Sequence, residues 1–188
     1  MPCPTGATAT ADQGGGRAAL RRLAIVLEHM RYENAHDFDR CIAAFGHPRY
    51  EIVPTGEVHD GKDGVGGLLE DNRSAFADFH FEPYRTSPAE DIVLVEGLFT
   101  GTHTGTWRGL PATGRSVRLR MALVFEFEGE AMVCERVYFD LGTALRQLGV
   151  ARDPLSLAGR LTTLVNHPIT IARAVLRSLL RRQRPGSA

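Results

Sequence analysis

One acidic side chain on an otherwise apolar strand face is the first place to look for chemistry in this chain. Over 131–141, Glu135 shares the parity of Val133, Val137 and Phe139. A strand there would carry the carboxyl among apolar neighbours. Burial raises a carboxyl pKa and suits it to acid–base work near neutral pH. Two other placements are open: an ion pair with Arg120 or Arg136, and a β-bulge that turns Glu135 outward. Glu96, between Leu94 and Leu98, poses the same question. His103 is the second candidate, because a neutral imidazole can donate or accept a proton; alternatively it fixes the loop that contains it. Trp107, the only tryptophan, could stack on a flat ligand or merely cover an opening. Tyr50, with Tyr32 and Tyr138, could orient a ligand carbonyl. Asp140 precedes a helix near Gly142 and reads as an N-cap.

Other chemistries find no matching pattern. The seven histidines show no H-x-x-x-H or H-E-x-x-H spacing for zinc. Gly64-Val65-Gly66-Gly67 follows no strand and lacks the Lys-Ser/Thr of a phosphate loop. Cys41 and Cys134 have no neighbouring base in sequence that would activate a thiol. Neither Gly-x-Ser-x-Gly nor an aromatic–basic nucleic-acid motif occurs.

The elements that must position these residues follow from periodicity. Over 116–128, Val117, Leu119, Met121, Leu123, Phe125 and Phe127 alternate with mostly polar partners, the period of a strand with one buried face. Its inward set predicts Met121, Leu123 and Phe125, with Val137 from 131–141, as pocket wall. The Gly- and Pro-rich run 101–115 before it reads as a long hairpin connection. Strands are also predicted at 50–54, 79–84 and 92–100. Helices are predicted from Ala18, with Leu20, Leu23, Val26, Leu27 and Met30 at helical spacing, from Asp37, and over 65–76 after a turn at 60–64. This order implies an α+β fold: a curved antiparallel sheet wrapped around N-terminal helices, a cone-shaped barrel with an apolar cavity.

At 188 residues, with 22 basic and 22 acidic side chains, the chain suits one main domain with no overall field favouring nucleic acid. Residues 1–17 lack bulky apolar groups and read as a flexible tail. Residues 18–150 form the domain, and 151–188 a helical extension. In that extension Ile169, Ala172, Leu176 and Leu179 make one stripe, while Arg173, Arg177 and Arg181 recur on another side. This basic amphipathic helix suits packing on the domain or on a second subunit; an anionic membrane surface is the other role. The last residues, 184–188, are expected to fray. Three scattered cysteines suit a reducing cytoplasm, and no run approaches the roughly 18 apolar residues of a membrane span.

The segment Gly101-Thr102-His103-Thr104-Gly105, then Gly109-Leu110-Pro111-Ala112-Thr113-Gly114-Arg115, resembles the SnoaL-like polyketide cyclase branch of the nuclear transport factor 2-like superfamily. Phe76-Ala77-Asp78-Phe79, Tyr138-Phe139-Asp140-Leu141 and Gln147-Leu148-Gly149 extend the resemblance over about 18–150. It implies an apolar cavity open to a small apolar molecule, a homodimer, and no required metal or organic cofactor. It also places His103 beside the cavity. Cyclases of this branch close a ring by intramolecular aldol condensation, using an Asp on the sheet. Here that position carries Leu123. The related limonene epoxide hydrolases activate water with the first Asp of a Trp-Arg-Asp-Tyr-Phe-Asp strand; this chain reads Glu135-Arg136-Val137-Tyr138-Phe139-Asp140, with Val137 at that place. A leucine and a valine transfer no proton.

Two functions are therefore expected to compete. One is cofactor-independent cyclisation, isomerisation or hydrolysis of a polyketide- or terpenoid-like substrate, with Glu135 or His103 moving the proton. The other is a non-catalytic carrier of an apolar ligand, or a dimeric scaffold.

Overall fold

The alternating segment and its neighbour form the centre of one sheet. In the computed structural model, which describes residues 13–182, β5 (Ser116–Glu128) and β6 (Ala131–Phe139) pair antiparallel across a turn at Gly129, whose φ of 64° suits glycine. The inward parity of β5 is as expected: Val117, Leu119, Leu123, Phe125 and Phe127 are buried, while Arg118 and Arg120 are exposed. β4 (Ile92–Thr102) pairs with β5 along its whole length, and β3 (His80–Pro88) pairs with β4. On the far side, β1 (Arg49–Ile52) pairs with β6, and β2 (Glu57–Asp60) with β1. The order is β2-β1-β6-β5-β4-β3.

Two features depart from the sequence expectation. The sheet is mixed, because β1 runs parallel to β6. No hairpin links that pair: the chain passes through four other strands between them, so nothing forces the antiparallel arrangement. The sheet also stays open between β2 and β3 rather than closing into a barrel. β2 was not foreseen; its sequence, Glu-Val-His-Asp, has one apolar residue and lies at an edge.

Helices cover the inner face. α1 (Gln13–Asn34) begins five residues before the expected Ala18. The first twelve residues of the expected flexible tail, and the expected frayed end, lie outside the described residues. The buried side of α1 is Val26, His29 and Met30, whereas Leu20 and Leu27 are exposed. The apolar stripe read from sequence is thus rotated by part of a turn, and a histidine occupies its centre. At its end, Asn34 exchanges two hydrogen bonds of 2.8 Å with the backbone of Phe81, docking α1 on the edge strand β3. α2 (Phe38–Ala43) is capped by Asp37 and buries Phe38, Cys41 and Ile42. α3 (Gly61–Ala75) starts earlier than expected, through the glycines read as a turn; packing of Val65, Leu68 and Leu69 overrides the weak propensity of that segment. α4 (Leu141–Gln147) follows Asp140, the expected N-cap position. Asp140 accepts from the Thr143 hydroxyl, which holds its carboxyl below the usual range.

The chain divides into two compact units at Leu148/Gly149. The second contains α5 (Leu157–Asn166), capped by Ser156 on the Gly159 amide, and α6 (Pro168–Arg182). Among the described residues no helix is long and apolar enough to cross a membrane.

Candidate active site

A cavity of about 110 Å³ lies in the first unit, between the inner sheet face and the helices. Trp107, Met121, Leu123 and Val137 line it, as expected from sequence, and so do Tyr50 and Glu135. The polar side chains on its wall are Glu33, Asn34, Tyr50, Asn72, Arg108 and Glu135.

Glu135 faces inward and is 2% exposed. A bulge does occur in β6, but at Val133: Glu126 pairs with Cys134 and Phe127 with Met132, leaving Val133 between them. The irregularity shifts parity upstream of Glu135, so Val133 is only half-buried while Glu135 and Val137 keep the inward side. The arginine partners considered from sequence are elsewhere. Arg136 is held on the outer side by Glu51 and Glu126, at 2.7 and 2.6 Å, and Arg120 is exposed. Glu96 resolves the other way: it points out of the core and pairs with Arg85 at 2.9 Å.

The partner of Glu135 is His29, which sequence reasoning missed. His29 is fully buried, with its Nε2 3.1 Å from Glu135 Oε2 and 3.0 Å from the Tyr50 hydroxyl. Its Nδ1 lies 3.0 Å from the backbone carbonyl of Cys41. A carbonyl only accepts, so Nδ1 carries a proton. Burial alone would lower the imidazole pKa, but the hydrogen bonds with Cys41 and Glu135 outweigh it and hold it well above the ordinary value. Nε2 therefore also carries a proton and donates to Glu135. The ring is fixed by edge contacts with Phe45 and Phe125, at centroid distances of 5.2 and 5.7 Å.

Glu33 lies one turn beyond His29 on α1, so the two share a face; its Oε2 is 3.7 Å from His29 Nε2. Burial first, and then the charge on Glu135, push the Glu33 carboxyl up to about 7. The Tyr50 hydroxyl donates to Glu33 at 3.4 Å. Burial, with the charges of Glu135 and Glu33, pushes its pKa well above the usual phenol value, so it stays a donor. The cluster thus sets the His29–Glu135 pair beside a carboxyl pushed up to about 7 and a phenol held as a donor. A desolvated pair needs such hydrogen-bonding neighbours. Cys41 completes the cluster: its Sγ is 3.4 Å from His29 Nδ1, a neighbour absent from the local sequence, and burial pushes the thiol pKa up.

Donor atoms of His29, Glu33 and Cys41 lie within 4.8 Å of one another and could approach a metal ion. Both imidazole nitrogens are already engaged, however, and the thiol is held protonated. The set is a closed hydrogen-bonded cluster.

Two expected site residues belong elsewhere. Phe125 is fully buried against the His29 ring and does not reach the cavity. His103 is buried but also off the cavity wall, in the connection between β4 and β5. It stacks on Phe76 at 5.1 Å, and its Nδ1 accepts from the Thr113 amide at 3.2 Å. Burial lowers its pKa. The loop is pinned to α3 by the Thr104 and Gly105 amides, both donating to the Ala75 carbonyl. A side chain at Gly105 would meet the Ser74 carbonyl at 2.0 Å. Trp107 meets Phe76 edge-on, and Arg108 clamps the loop to Glu57.

The open curved sheet with helices on one face defines the nuclear transport factor 2/ketosteroid isomerase-like fold. The model of the SnoaL-like polyketide cyclase family matches residues 21–148, and the chain belongs to that family. Similar solved structures include AclR of Streptomyces galilaeus, a candidate hydroxylase. It is 22% identical, with 72% of this chain and 89% of that one covered, at a TM-score of 0.62. IdmH of Streptomyces antibioticus, a candidate polyketide cyclase, is 20% identical over 69% and 99%, at 0.57. A protein of ketosteroid isomerase-like fold from Catenulispora acidiphila is 18% identical over 67% and 92%, at 0.58. No curated protein sequence matches the chain.

Proposed function

We propose that this protein catalyses proton transfer on an apolar ketone substrate, of the kind that closes or isomerises a polyketide-like ring, with Glu135 as base. The observation that carries this reading is the Glu135 carboxylate, buried at the cavity wall and paired with a buried imidazolium. The carboxylate takes a proton from the carbon next to a carbonyl, and the C–H electron pair moves into the enolate. Tyr50 and protonated Glu33 donate hydrogen bonds to the enolate oxygen, where charge develops. Two neighbouring carboxyls, of which Glu33 is pushed up to about 7, supply the base and the acid. In a cyclisation the enolate carbon bonds to a second carbonyl of the same molecule, whose oxygen takes the proton. In an isomerisation the proton returns to another carbon. His29 holds and orients Glu135 without touching substrate.

Support comes from the family, from the cyclase and hydroxylase assignments of neighbouring structures, and from the mostly apolar cavity wall. One observation favours the carrier reading: Leu123 and Val137 face the cavity where relatives are expected to hold acids. Deuterium exchange separates the two. In D2O, the protein should accelerate loss of the α-proton signals of a flat bicyclic ketone such as 2-tetralone, and Glu135→Gln should abolish the acceleration while keeping the fold. Binding of the ketone without exchange would identify a carrier. Exchange unchanged in Glu135→Gln would remove Glu135 from the role.

A further inference from the structure

The zero net charge of the chain conceals two opposed parts. Residues 149–188 hold seven arginines against one acid, Asp153, whereas residues 1–148 hold 15 basic and 21 acidic side chains. The basic part is also where apolar surface stays uncovered. Among the described residues, eleven of the seventeen exposed large apolar side chains fall within 150–180.

Their arrangement is ordered. At about 100° per residue, Ile169, Leu176, Leu179 and Leu180 share one side of α6, and each is more than half exposed. Arg173 and Arg177 follow on a separate arc. α5 adds Leu157, Leu161 and Val165, all exposed, with Arg160 as its one cation, and neither helix contains an acid. Folding of the second unit therefore leaves both apolar stripes without a partner. Among the described residues, the six exposed large apolar side chains of the first unit are scattered over α1, the β1–β2 turn and its flank, β3 and β6. Two copies of the tail would bring arginine rows together with no acid after Asp153 to offset them. A half-apolar, half-cationic helix with no acidic residue is the composition that lies flat in a lipid interface.

We propose that α5 and α6 form a docking surface for an anionic lipid bilayer, with leucines among the acyl chains and arginines among the headgroup phosphates. This places the domain at a surface where apolar substrates concentrate. It does not depend on the cavity chemistry.

Vesicle flotation of the full-length protein tests it. Vesicles of phosphatidylcholine with added phosphatidylglycerol should capture the protein, and vesicles of phosphatidylcholine alone should not. About 0.5 M salt, which shortens the Debye length to a few ångströms, should release it. Arg173→Gln with Arg177→Gln should lower partitioning about thirty-fold, from the loss of two surface cations. Leu176→Ser with Leu180→Ser should lower it too, and neither pair should move the melting transition of the first unit. Equal capture by both vesicle types, or no capture, overturns the proposal. So does a salt-insensitive dimer that Leu176→Ser with Leu180→Ser dissolves, because it would assign the face to a second copy.

Discussion

Two histidines are completely buried in the first unit, and they illustrate opposite uses of burial. His29, on α1, is surrounded by groups that stabilise its charge: the Cys41 carbonyl on one nitrogen, Glu135 and Tyr50 on the other. His103, in the β4–β5 connection, meets Phe76, the Thr113 hydroxyl and the Thr113 amide, and no charge. The first is held cationic behind Glu135 and Tyr50, which line the cavity; the second is held neutral inside a loop. Burial alone does not make a histidine a candidate; a charged partner on a cavity wall does.

Removing each ring should separate them. His29→Ala leaves Glu135 buried without its cation, and the loss should be about 3–5 kcal/mol in chemical denaturation. His103→Ala deletes a stacked ring and a neutral hydrogen bond, and about 1–3 kcal/mol is expected. Equal losses would mean that the His29–Glu135 pair carries no special weight. Exchange activity should survive His103→Gln and fall with His29→Gln, which keeps a polar side chain but no charge.

The smallest effect is in the pH profile, where the two should differ in sign. The folded pKa of His29 lies above its ordinary 6.5, so its contribution is complete below about 6.5 and fades as pH rises through the folded value. Glu33 acts the same way: raised from 4.5 to about 7, its folded form keeps a proton that the unfolded chain has released, and stability falls across that interval. His103 is lowered, so its contribution is present above 6.5 and declines as pH falls below it. Melting temperatures measured between about pH 5 and 9 should show a shallower alkaline decline in His29→Gln and a shallower acid decline in His103→Gln. The same change in both variants would contradict the assignment.

Much of this was legible in the sequence, and the failures have physical causes. The strict alternation of 116–128 fixed the register, because slipping by one residue would bury Arg118 and Arg120. Glu135 stood out for the same reason. His29 did not, because the helix was read from its leucines. Leu20 and Leu27 face water, and the buried side runs through Val26, His29, Met30 and Glu33. A histidine and a glutamate four residues apart, flanked at helical spacing by Val26 and Met30, was the available signal. The pairing of α1 with β6 across more than 100 residues was not readable from one chain. Of the two roles open for His103, the structure favours the loop-fixing one: its glycine-rich surroundings form a connection seated against α3, where Gly105 leaves room for the Ser74 carbonyl.

The most direct test of the account is the electron density of a flat ketone soaked into crystals of the protein. The account predicts its carbonyl oxygen within hydrogen-bond distance of Tyr50 or Glu33, and its α-carbon against the Glu135 carboxylate. A ketone whose carbonyl instead points to the Trp107 end of the cavity, with its α-carbon out of contact with Glu135, would contradict it.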